Sequence, residues 1–245
     1  MLKDFTKEAF DIIVQAGQSN AEGCGRGPCN RPYIPDERIW FLNGDFTISV
    51  ANERAFAGNL CSDFSLTFAK DYAKKLLAKD RKILIIRSAV GGTGFSDNRW
   101  NMTDDLYRRM MTMTADALSL NENNRVVAFF WHQGETDAIN NMGEETYHGK
   151  LSKLFNSFRE TFGAEIPIIM ADFVQEWEQQ NLEICKPVIG AQRRIANEIS
   201  KSFFIETDGL SSNNAVLSDG DNIHFSRQAI YELGHRYFDA FNSLI

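Results

Sequence analysis

Short apolar runs separated by amphipathic segments constrain the fold of this chain more than any other feature of its sequence. Five runs contain almost no polar side chain: residues 12–16, 83–87, 126–131, 166–171 and 203–205. Runs of this length without polar alternation are typical of strands buried on both faces, as in a parallel sheet. The sequence therefore predicts a mostly parallel sheet covered by helices.

Segments with helical spacing lie between the apolar runs. Residues 62–78 place Phe64, Phe68, Tyr72 and Leu76 four positions apart, which puts them on one face of a helix. The same spacing predicts helices over residues 104–120, 144–162 and 187–200, and a last helix that begins after an N-capping Ser226. Strand and helix alternating this often predict a doubly wound α/β sandwich with right-handed crossovers.

The size of the chain suits one domain with a sizeable core. It has 245 residues, 43% of them hydrophobic, and no linker rich in Pro, Gly or Ser divides it. We therefore expect a single domain over residues 1–245. One insertion, residues 24–60, separates the first strand from the first helix and is rich in Gly, Pro and Asn. We predict that it forms a long loop region over the carboxyl edge of the sheet.

The charge balance argues against several kinds of partner. A net charge of −7 and an isoelectric point of about 5.2 disfavour nucleic acid and anionic membranes. No stretch approaches the roughly 20 apolar residues of a membrane span, and the start of the chain lacks a signal-peptide core. We expect a cytoplasmic protein, with a secreted form whose signal has been removed as the alternative. The four cysteines match no zinc spacing and are expected to be free thiols.

Polar clusters lie directly after the predicted strands. In an open α/β sheet, ligands bind beyond the carboxyl ends of the strands. The clusters are residues 17–20 (GQSN), residues 88–94 (SAVGGTG), residues 132–137 (HQGETD) and, ahead of the last helix, residues 219–226 (DGDNIHFS). Four clusters in the same topological place indicate a functional site more strongly than any one of them alone.

Ser19 is the candidate nucleophile. A serine hydroxyl needs a base within hydrogen-bond reach, and His224 is the candidate base. Asp221, three residues earlier, can accept from the imidazole and stabilise the imidazolium that forms during attack. Each part also has a simpler interpretation: a serine that caps a turn, and an acidic cap at a helix N-terminus.

The two other clusters suit an oxyanion hole. Residues 91–94 lack the lysine of a phosphate loop and the glycine spacing of a dinucleotide site. Their backbone N–H groups could stabilise an oxyanion, with a plain tight turn as the alternative. Gln133 could donate its amide to the same oxyanion. Glu135 is either a supporting acid or an alternative partner for the histidine. A metal site at His132, Glu135 and Asp137 is disfavoured because the spacing is not diagnostic.

Taken together, the clusters resemble the SGNH-hydrolase superfamily. Within it, the similarity is to the sialate O-acetylesterase-like and acetylxylan-esterase-like carbohydrate esterases. The resemblance extends from Ile12 to Leu233, and the combination of GQSN at residues 17–20 with WHQGE at residues 131–135 is specific to that branch. It implies a flavodoxin-like, three-layer α/β/α sandwich with a mostly parallel sheet, without metal or cofactor.

The resemblance also implies a role for individual residues. Ser19 would be the nucleophile, His224 the base and Asp221 its partner. The oxyanion hole would be formed by the Ser19 backbone N–H, the turn at Gly91 and Gly92, and the Gln133 side chain. Gln133 stands where many superfamily members carry an asparagine. Gln18, Asn20 and Glu135 are expected to support the site.

We therefore predict a serine esterase that removes acetyl groups from a carbohydrate through an acyl-enzyme. One alternative is a non-catalytic glycan-binding module, in which Trp40, Trp100 and Trp177 of loop-like stretches stack on sugar rings. Another is a lipase or thioesterase, which the lack of an apolar lid disfavours. The sequence leaves open which acetylated sugar is the substrate and what the oligomeric state is.

Overall fold

A computed structural model of the chain describes residues 4–56 and 58–245, so that residues 1–3 and 57 of the expected single domain lie outside the described residues. The strands in this part of the chain are β1 (Ala9–Gly17), β2 (Ile39–Leu42), β3 (Ile48–Val50), β4 (Arg54–Phe56), β5 (Asn59–Cys61), β6 (Arg81–Arg87), β7 (Arg125–His132), β8 (Ile168–Ala171) and β9 (Ser202–Ile205). The α-helices are α1 (Ser19–Glu22), α2 (Ser65–Lys75), α3 (Asp105–Ser119), α4 (Glu135–Ile139), α5 (Glu144–Phe162), α6 (Gln175–Gln180), α7 (Leu182–Glu198), α8 (Asn213–Leu217) and α9 (Arg227–Leu244).

Seven of these strands form one sheet in the order β3-β2-β6-β1-β7-β8-β9. All neighbouring pairs are parallel except β2 and β3, which are antiparallel. Helices α2 and α9 pack together on one face, and α5 packs against α7 while α3 contacts β1 and β6 on the other. The predicted three-layer α/β/α sandwich with a mostly parallel sheet is confirmed.

The central strands match the apolar runs because both of their faces are covered. All residues of β1 after Ala9 are buried, and so are the last five residues of β7. The predicted helices are found with small shifts in their bounds, except that α7 begins at Leu182 rather than at Pro187. Cys185 and Val188, on either side of that proline, are buried and hold this part of the helix against the core.

The insertion at residues 24–60 is not only a loop region, and that prediction was wrong in part. It contributes β2 and β3, which extend the sheet beyond β6, and β4, which pairs with β5 as a hairpin. These strands have only three or four residues each. They are therefore too short to stand out in a segment whose composition is that of a loop.

The contact between α2 and α9 depends on one small residue. A Cβ atom added at Gly234 of α9 would lie 2.0 Å from Thr67 Oγ1 and 2.2 Å from the carbonyl oxygen of Phe64. Helix α9 begins after Ser226, whose hydroxyl accepts from the backbone N–H of Ala229 as predicted for an N-cap. None of the helices in residues 4–56 and 58–245 is long and apolar enough to cross a membrane.

Candidate active site

The turn after β1 sets the position of Ser19. Gly17 has a φ of +130°, and a Cβ atom there would lie 2.1 Å from the carbonyl oxygen of His132 on the neighbouring strand β7. The N–H of Gln18 donates to that same oxygen at 2.9 Å. Only glycine fits this backbone contact. Ser19 comes next as the first residue of α1, at the carboxyl edge of the sheet and 7% exposed.

His224 and Asp221 form a hydrogen-bonded pair. The Nδ1 atom of His224 lies 2.7 Å from Asp221 Oδ1. Because an ionised carboxylate can only accept, Nδ1 carries the proton, which leaves Nε2 as the basic nitrogen. Both side chains are half-buried, with 24% and 18% of their surface exposed. A substrate can therefore reach the pair, while bulk water is partly excluded.

The second carboxylate oxygen of Asp221 is held by two further donors. Arg26 Nη2 donates to Oδ2 at 2.7 Å, and Asn213 Nδ2 donates to the same atom at 2.9 Å. Arg26 Nη2 also lies 2.8 Å from Asp219 Oδ2. Burial acts to raise the pKa of Asp221, but the hydrogen bonds from His224, Asn213 and Arg26 outweigh it, and the pKa lies well below its usual range. Asp221 is therefore ionised and fixed in orientation.

Asn20 joins the His224 segment to the Ser19 turn. Its Oδ1 atom accepts from the backbone N–H of Phe225 at 3.1 Å, and its Nδ2 atom donates to the carbonyl oxygen of Ile223 at 3.1 Å. The two residues that flank His224 are thus bound by the residue immediately after Ser19. The described residues show no direct hydrogen bond from Ser19 to His224, and such contacts often tighten only when substrate binds.

Glu135 does not replace Asp221 in this structure. It is completely buried, its Oε1 accepts from Asn20 Nδ2 at 3.0 Å, and burial raises its pKa. The same oxygen lies 3.9 Å from Nε2 of His132. Burial lowers the pKa of His132 to about 3, so this histidine is neutral. The carboxylate that holds His224 is that of Asp221.

Two predicted oxyanion donors are already occupied. The N–H of Gly91 donates to Glu22 Oε2 at 2.7 Å. The Nε2 atom of Gln133 donates to Asp137 Oδ2 at 2.9 Å and to the carbonyl oxygen of Thr93 at 3.2 Å. All the neighbours of this nitrogen are acceptors, which fixes the orientation of the amide. The sequence correctly indicated groups that can donate hydrogen bonds, but in the folded protein the Gly91 N–H and the Gln133 amide already donate to other residues.

The remaining candidates for the oxyanion hole are the N–H groups of Ser19 and Gly92. Neither donates to an acceptor within residues 4–56 and 58–245. Gln18, predicted to support the site, accepts with its Oε1 from the backbone N–H of Thr136 at 3.2 Å and of Gly134 at 3.4 Å. Its side chain therefore fixes the loop after β7 rather than facing a substrate.

The tryptophans, the possible metal site and the cysteines that the sequence singled out do not contribute to this candidate site. Trp100 is completely buried, and Trp177 of α6 is only 7% exposed, so neither can stack on a sugar. Trp40 lies within β2 rather than in a loop. No group of three or more His, Cys, Asp or Glu side chains in the described part of the chain could hold a metal ion. All four cysteines are free thiols, and burial raises the pKa of Cys24 to about 12.

Sequence reasoning did not find Arg26 or Asn213. Arg26 lies in the insertion, 195 positions from the carboxylate it binds, and Asn213 begins the short helix α8. Neither belongs to a cluster at the end of a predicted strand, and no local pattern in the sequence indicates their contact with Asp221.

The fold and the site define a three-layer α/β protein whose polar residues meet at the carboxyl edge of a parallel sheet. A probable carbohydrate esterase from Arabidopsis thaliana is 24% identical to this chain over 177 residues, which is 64% of this chain and 66% of that protein. Its crystal structure superposes with a TM-score of 0.76 at 22% identity, covering 95% of this chain and 98% of the other.

Two further crystal structures share the fold. NanS superposes with a TM-score of 0.80 at 18% identity, covering 97% of this chain and 98% of that chain. A carbohydrate acetylesterase from Xanthomonas citri superposes with a TM-score of 0.64 at 17% identity, covering 96% of this chain and 56% of the other. At these identities, the superpositions establish the architecture.

The family comes from the sequence comparison. The family model described as carbohydrate esterase, sialic acid-specific acetylesterase, matches residues 9–243. The chain belongs to this family of carboxylic ester hydrolases, and the resemblance inferred from the four clusters is confirmed.

Proposed function

We propose that the protein is a serine esterase that hydrolyses O-acetyl esters on a carbohydrate. Ser19 is the nucleophile, His224 the general base and Asp221 its orienting partner. The observation that carries this assignment is the Asp221–His224 pair, which Asn20 ties to the Ser19 turn through the two residues that flank the histidine. Family membership supports the ester bond as the target.

Acylation begins when the Ser19 hydroxyl attacks the acetyl carbonyl. As the Oγ–carbon bond forms, His224 Nε2 takes the hydroxyl proton, and the Asp221 carboxylate at 2.7 Å stabilises the imidazolium. The carbonyl oxygen becomes an oxyanion. The N–H groups of Ser19 and Gly92 are the donors that we assign to it, because they have no acceptor within the described residues.

Collapse of the tetrahedral intermediate breaks the bond to the sugar oxygen. His224 returns its proton to that oxygen, so that the sugar leaves as an alcohol and the acetyl group stays on Ser19. A water molecule then attacks the acetyl-enzyme with His224 as base again. Acetate leaves, and the Ser19 hydroxyl is restored.

The nucleophile assignment is tested with Ser19→Ala and a matched control. Ser119→Ala removes an exposed hydroxyl at the end of α3. We expect Ser19→Ala to reduce hydrolysis of p-nitrophenyl acetate to a small residual rate and to abolish labelling by a fluorophosphonate, while Ser119→Ala behaves as the wild type. Full hydrolysis by Ser19→Ala would show that another residue is the nucleophile.

The carbohydrate specificity is tested with a panel of substrates. Acetate release is measured from an O-acetylated sialic acid, from acetylated xylo-oligosaccharides and from p-nitrophenyl acetate. Hydrolysis of the aryl ester alone would contradict a carbohydrate as substrate and favour another acyl substrate on the same scaffold.

A further inference from the structure

The turn after β6 lies close to Ser19. It comprises residues 90–93, and its two central residues are Gly91 and Gly92. A Cβ atom added at Gly91 would lie 3.5 Å from Ser19 Cβ. Gly92 has a φ of +69°, which favours glycine, and a Cβ atom there would meet nothing within 4 Å. Gly91 therefore packs towards the nucleophile, while Gly92 borders open space.

Both ends of this turn are anchored by their own contacts. The backbone N–H of Val90 donates to the carbonyl oxygen of Gly17 at 3.1 Å. The Thr93 hydroxyl donates to the carbonyl oxygen of Val90 at 2.7 Å and accepts from Trp100 Nε1 at 3.0 Å. The two glycines between these ends have no side chains that could fix their peptide groups. Their orientation therefore depends on a contact from another segment.

Glu22 supplies that contact. Its Oε2 atom accepts from the Gly91 N–H at 2.7 Å, and no other described residue hydrogen-bonds to either central glycine. A charged acceptor forms a shorter and stronger hydrogen bond with a backbone N–H than a neutral oxygen does. Glu22 and Ser19 lie three residues apart on the single turn of α1. The glycine turn is thus held by the same element that presents the nucleophile.

Glu22 is itself fixed at three points. Its N–H donates to the carbonyl oxygen of Gln18 at 2.8 Å, and its own carbonyl oxygen accepts from Arg87 Nη2 at 2.8 Å. Arg54 Nη1 donates to Glu22 Oε1 at 2.8 Å, while Oε2 binds Gly91. Arg54 begins β4, so the insertion at residues 24–60 reaches the candidate active site through this carboxylate.

We propose that Glu22 is a positioning residue for the oxyanion hole. By holding the Gly91 N–H, it fixes the turn in which the Gly92 N–H stays open for the oxyanion that forms at Ser19. The inference rests on the proposed esterase function. Donors that are oriented beforehand need no reorganisation when charge develops, which makes them effective. A carboxylate near an oxyanion is unfavourable by itself, and the ion pair with Arg54 offsets part of that repulsion.

The test compares Glu22→Ala with Glu22→Gln. The alanine variant removes the acceptor of the Gly91 N–H, whereas the glutamine variant keeps a side-chain oxygen that can accept. Glu145→Ala is the control, because Glu145 of α5 is exposed and forms an ion pair with Arg194 at 2.6 Å. Each variant is assayed by steady-state hydrolysis of p-nitrophenyl acetate and by inhibition with phenylboronic acid.

Phenylboronic acid reports on the oxyanion hole directly. Its boron accepts an electron pair from Ser19 Oγ while His224 takes the hydroxyl proton, which gives a tetrahedral adduct with an oxygen at the oxyanion position. The inhibition constant Ki therefore measures how well the site binds the geometry of the transition state. Neither Ki nor KM depends on the fraction of folded enzyme, so they separate a displaced turn from partial unfolding.

We expect Glu22→Ala to lower kcat by about 10- to 100-fold while KM stays close to the wild-type value. Its Ki for phenylboronic acid should rise by a similar factor. Loss of a whole oxyanion donor typically lowers turnover by about 10²–10³-fold, and the effect here should be smaller because the Ser19 N–H remains. Glu22→Gln should recover most of both losses, and Glu145→Ala should behave as the wild type.

Four results would overturn the proposal. An unchanged kcat in Glu22→Ala would show that the turn does not need Glu22, and a higher kcat would show that Glu22 competes with substrate for the Gly91 N–H. A lower kcat with an unchanged Ki would indicate loss of folded enzyme. Equal losses in the two Glu22 variants would assign the effect to charge rather than to the hydrogen bond.

Failure of the esterase function gives a different pattern. If Ser19→Ala is inactive while Glu22→Ala matches the wild type, the esterase function holds and only the role of Glu22 is refuted. If Ser19→Ala hydrolyses p-nitrophenyl acetate at the wild-type rate, the nucleophile assignment is wrong, and the inference about Glu22 is refuted with it.

Discussion

Replacing Arg26 should reduce turnover although Arg26 is not part of the proposed triad. Arg26 Nη2 donates to Asp221 Oδ2 at 2.7 Å, and Arg26→Gln removes that charged donor. A hydrogen bond to a charged group contributes about 1.5–3 kcal/mol. Asn213 remains on the same oxygen at 2.9 Å, so we expect the lower end of this range. That corresponds to a loss of about tenfold in kcat, since about 1.4 kcal/mol is a factor of ten.

The assay is steady-state hydrolysis of p-nitrophenyl acetate, with the rate of fluorophosphonate labelling as a second readout. Because Arg26 acts through Asp221 rather than on the substrate, kcat should fall while KM stays close to the wild-type value. Arg99→Gln is the control, since Arg99 forms a similar ion pair with Asp105 at 2.8 Å on the exposed surface. It should leave both parameters unchanged.

A double-mutant cycle separates a positioning role from a general effect. Asp221→Asn alone should reduce kcat by about 10³–10⁴-fold, as expected when a triad carboxylate is neutralised. Adding Arg26→Gln to it should cost little more, because the carboxylate that Arg26 orients is gone. If the two losses multiply, Arg26 acts elsewhere and the reasoning is refuted. If Glu135→Gln abolishes turnover while Asp221→Asn does not, Glu135 is the acidic partner.

Two other predictions concern stability. Gly234→Ala forces a methyl group to within 2.0 Å of Thr67 Oγ1, so urea unfolding should show a loss of about 3 kcal/mol. Gly149→Ala, a helical glycine with open space around it, should instead stabilise by about 0.5–1 kcal/mol, and equal effects would contradict the packing argument. Burial raises the pKa of Asp172 to about 7, whereas an unfolded Asp titrates near pH 3.9. The folded state therefore holds the extra proton between these values, and stability falls as the pH rises through that window. Relative to Asp172→Asn, the wild type should lose up to about 4 kcal/mol between pH 4 and pH 8, and a pH-independent difference would exclude this carboxyl as the cause.

The sheet could be predicted from the sequence because strands buried on both faces cannot carry polar alternation. Residues 12–16 and 126–131 show this, and they became β1 and β7 at the centre of the sheet. The short strands β2 and β3 could not be predicted. Their stability comes from pairing with β6 and with each other rather than from their own pattern.

The candidate site could be predicted in its residue types but not in its contacts. In an open parallel sheet, the segments that follow the strands lie at one edge. This rule made it possible to predict from the sequence that Ser19 and His224 belong to one site. Whether a predicted oxyanion donor is free to bind substrate depends on acceptors that lie far away in the sequence. Glu22 already accepts from the N–H of Gly91, and Asp137 accepts from the side chain of Gln133, so two of the predicted oxyanion donors are occupied.

Because Asn20 binds the residues on both sides of His224, the candidate active site can be completed only after that late segment of the chain has been synthesised. The hydrogen bonds of Asn20 join the first turn of the sheet to residues 203 and 205 positions further on. The last described strand of the sheet ends at Ile205, so the segment that carries His224 is synthesised after these strands. The nascent protein would thus be unable to cleave esters until the segment around His224 had been synthesised and had docked.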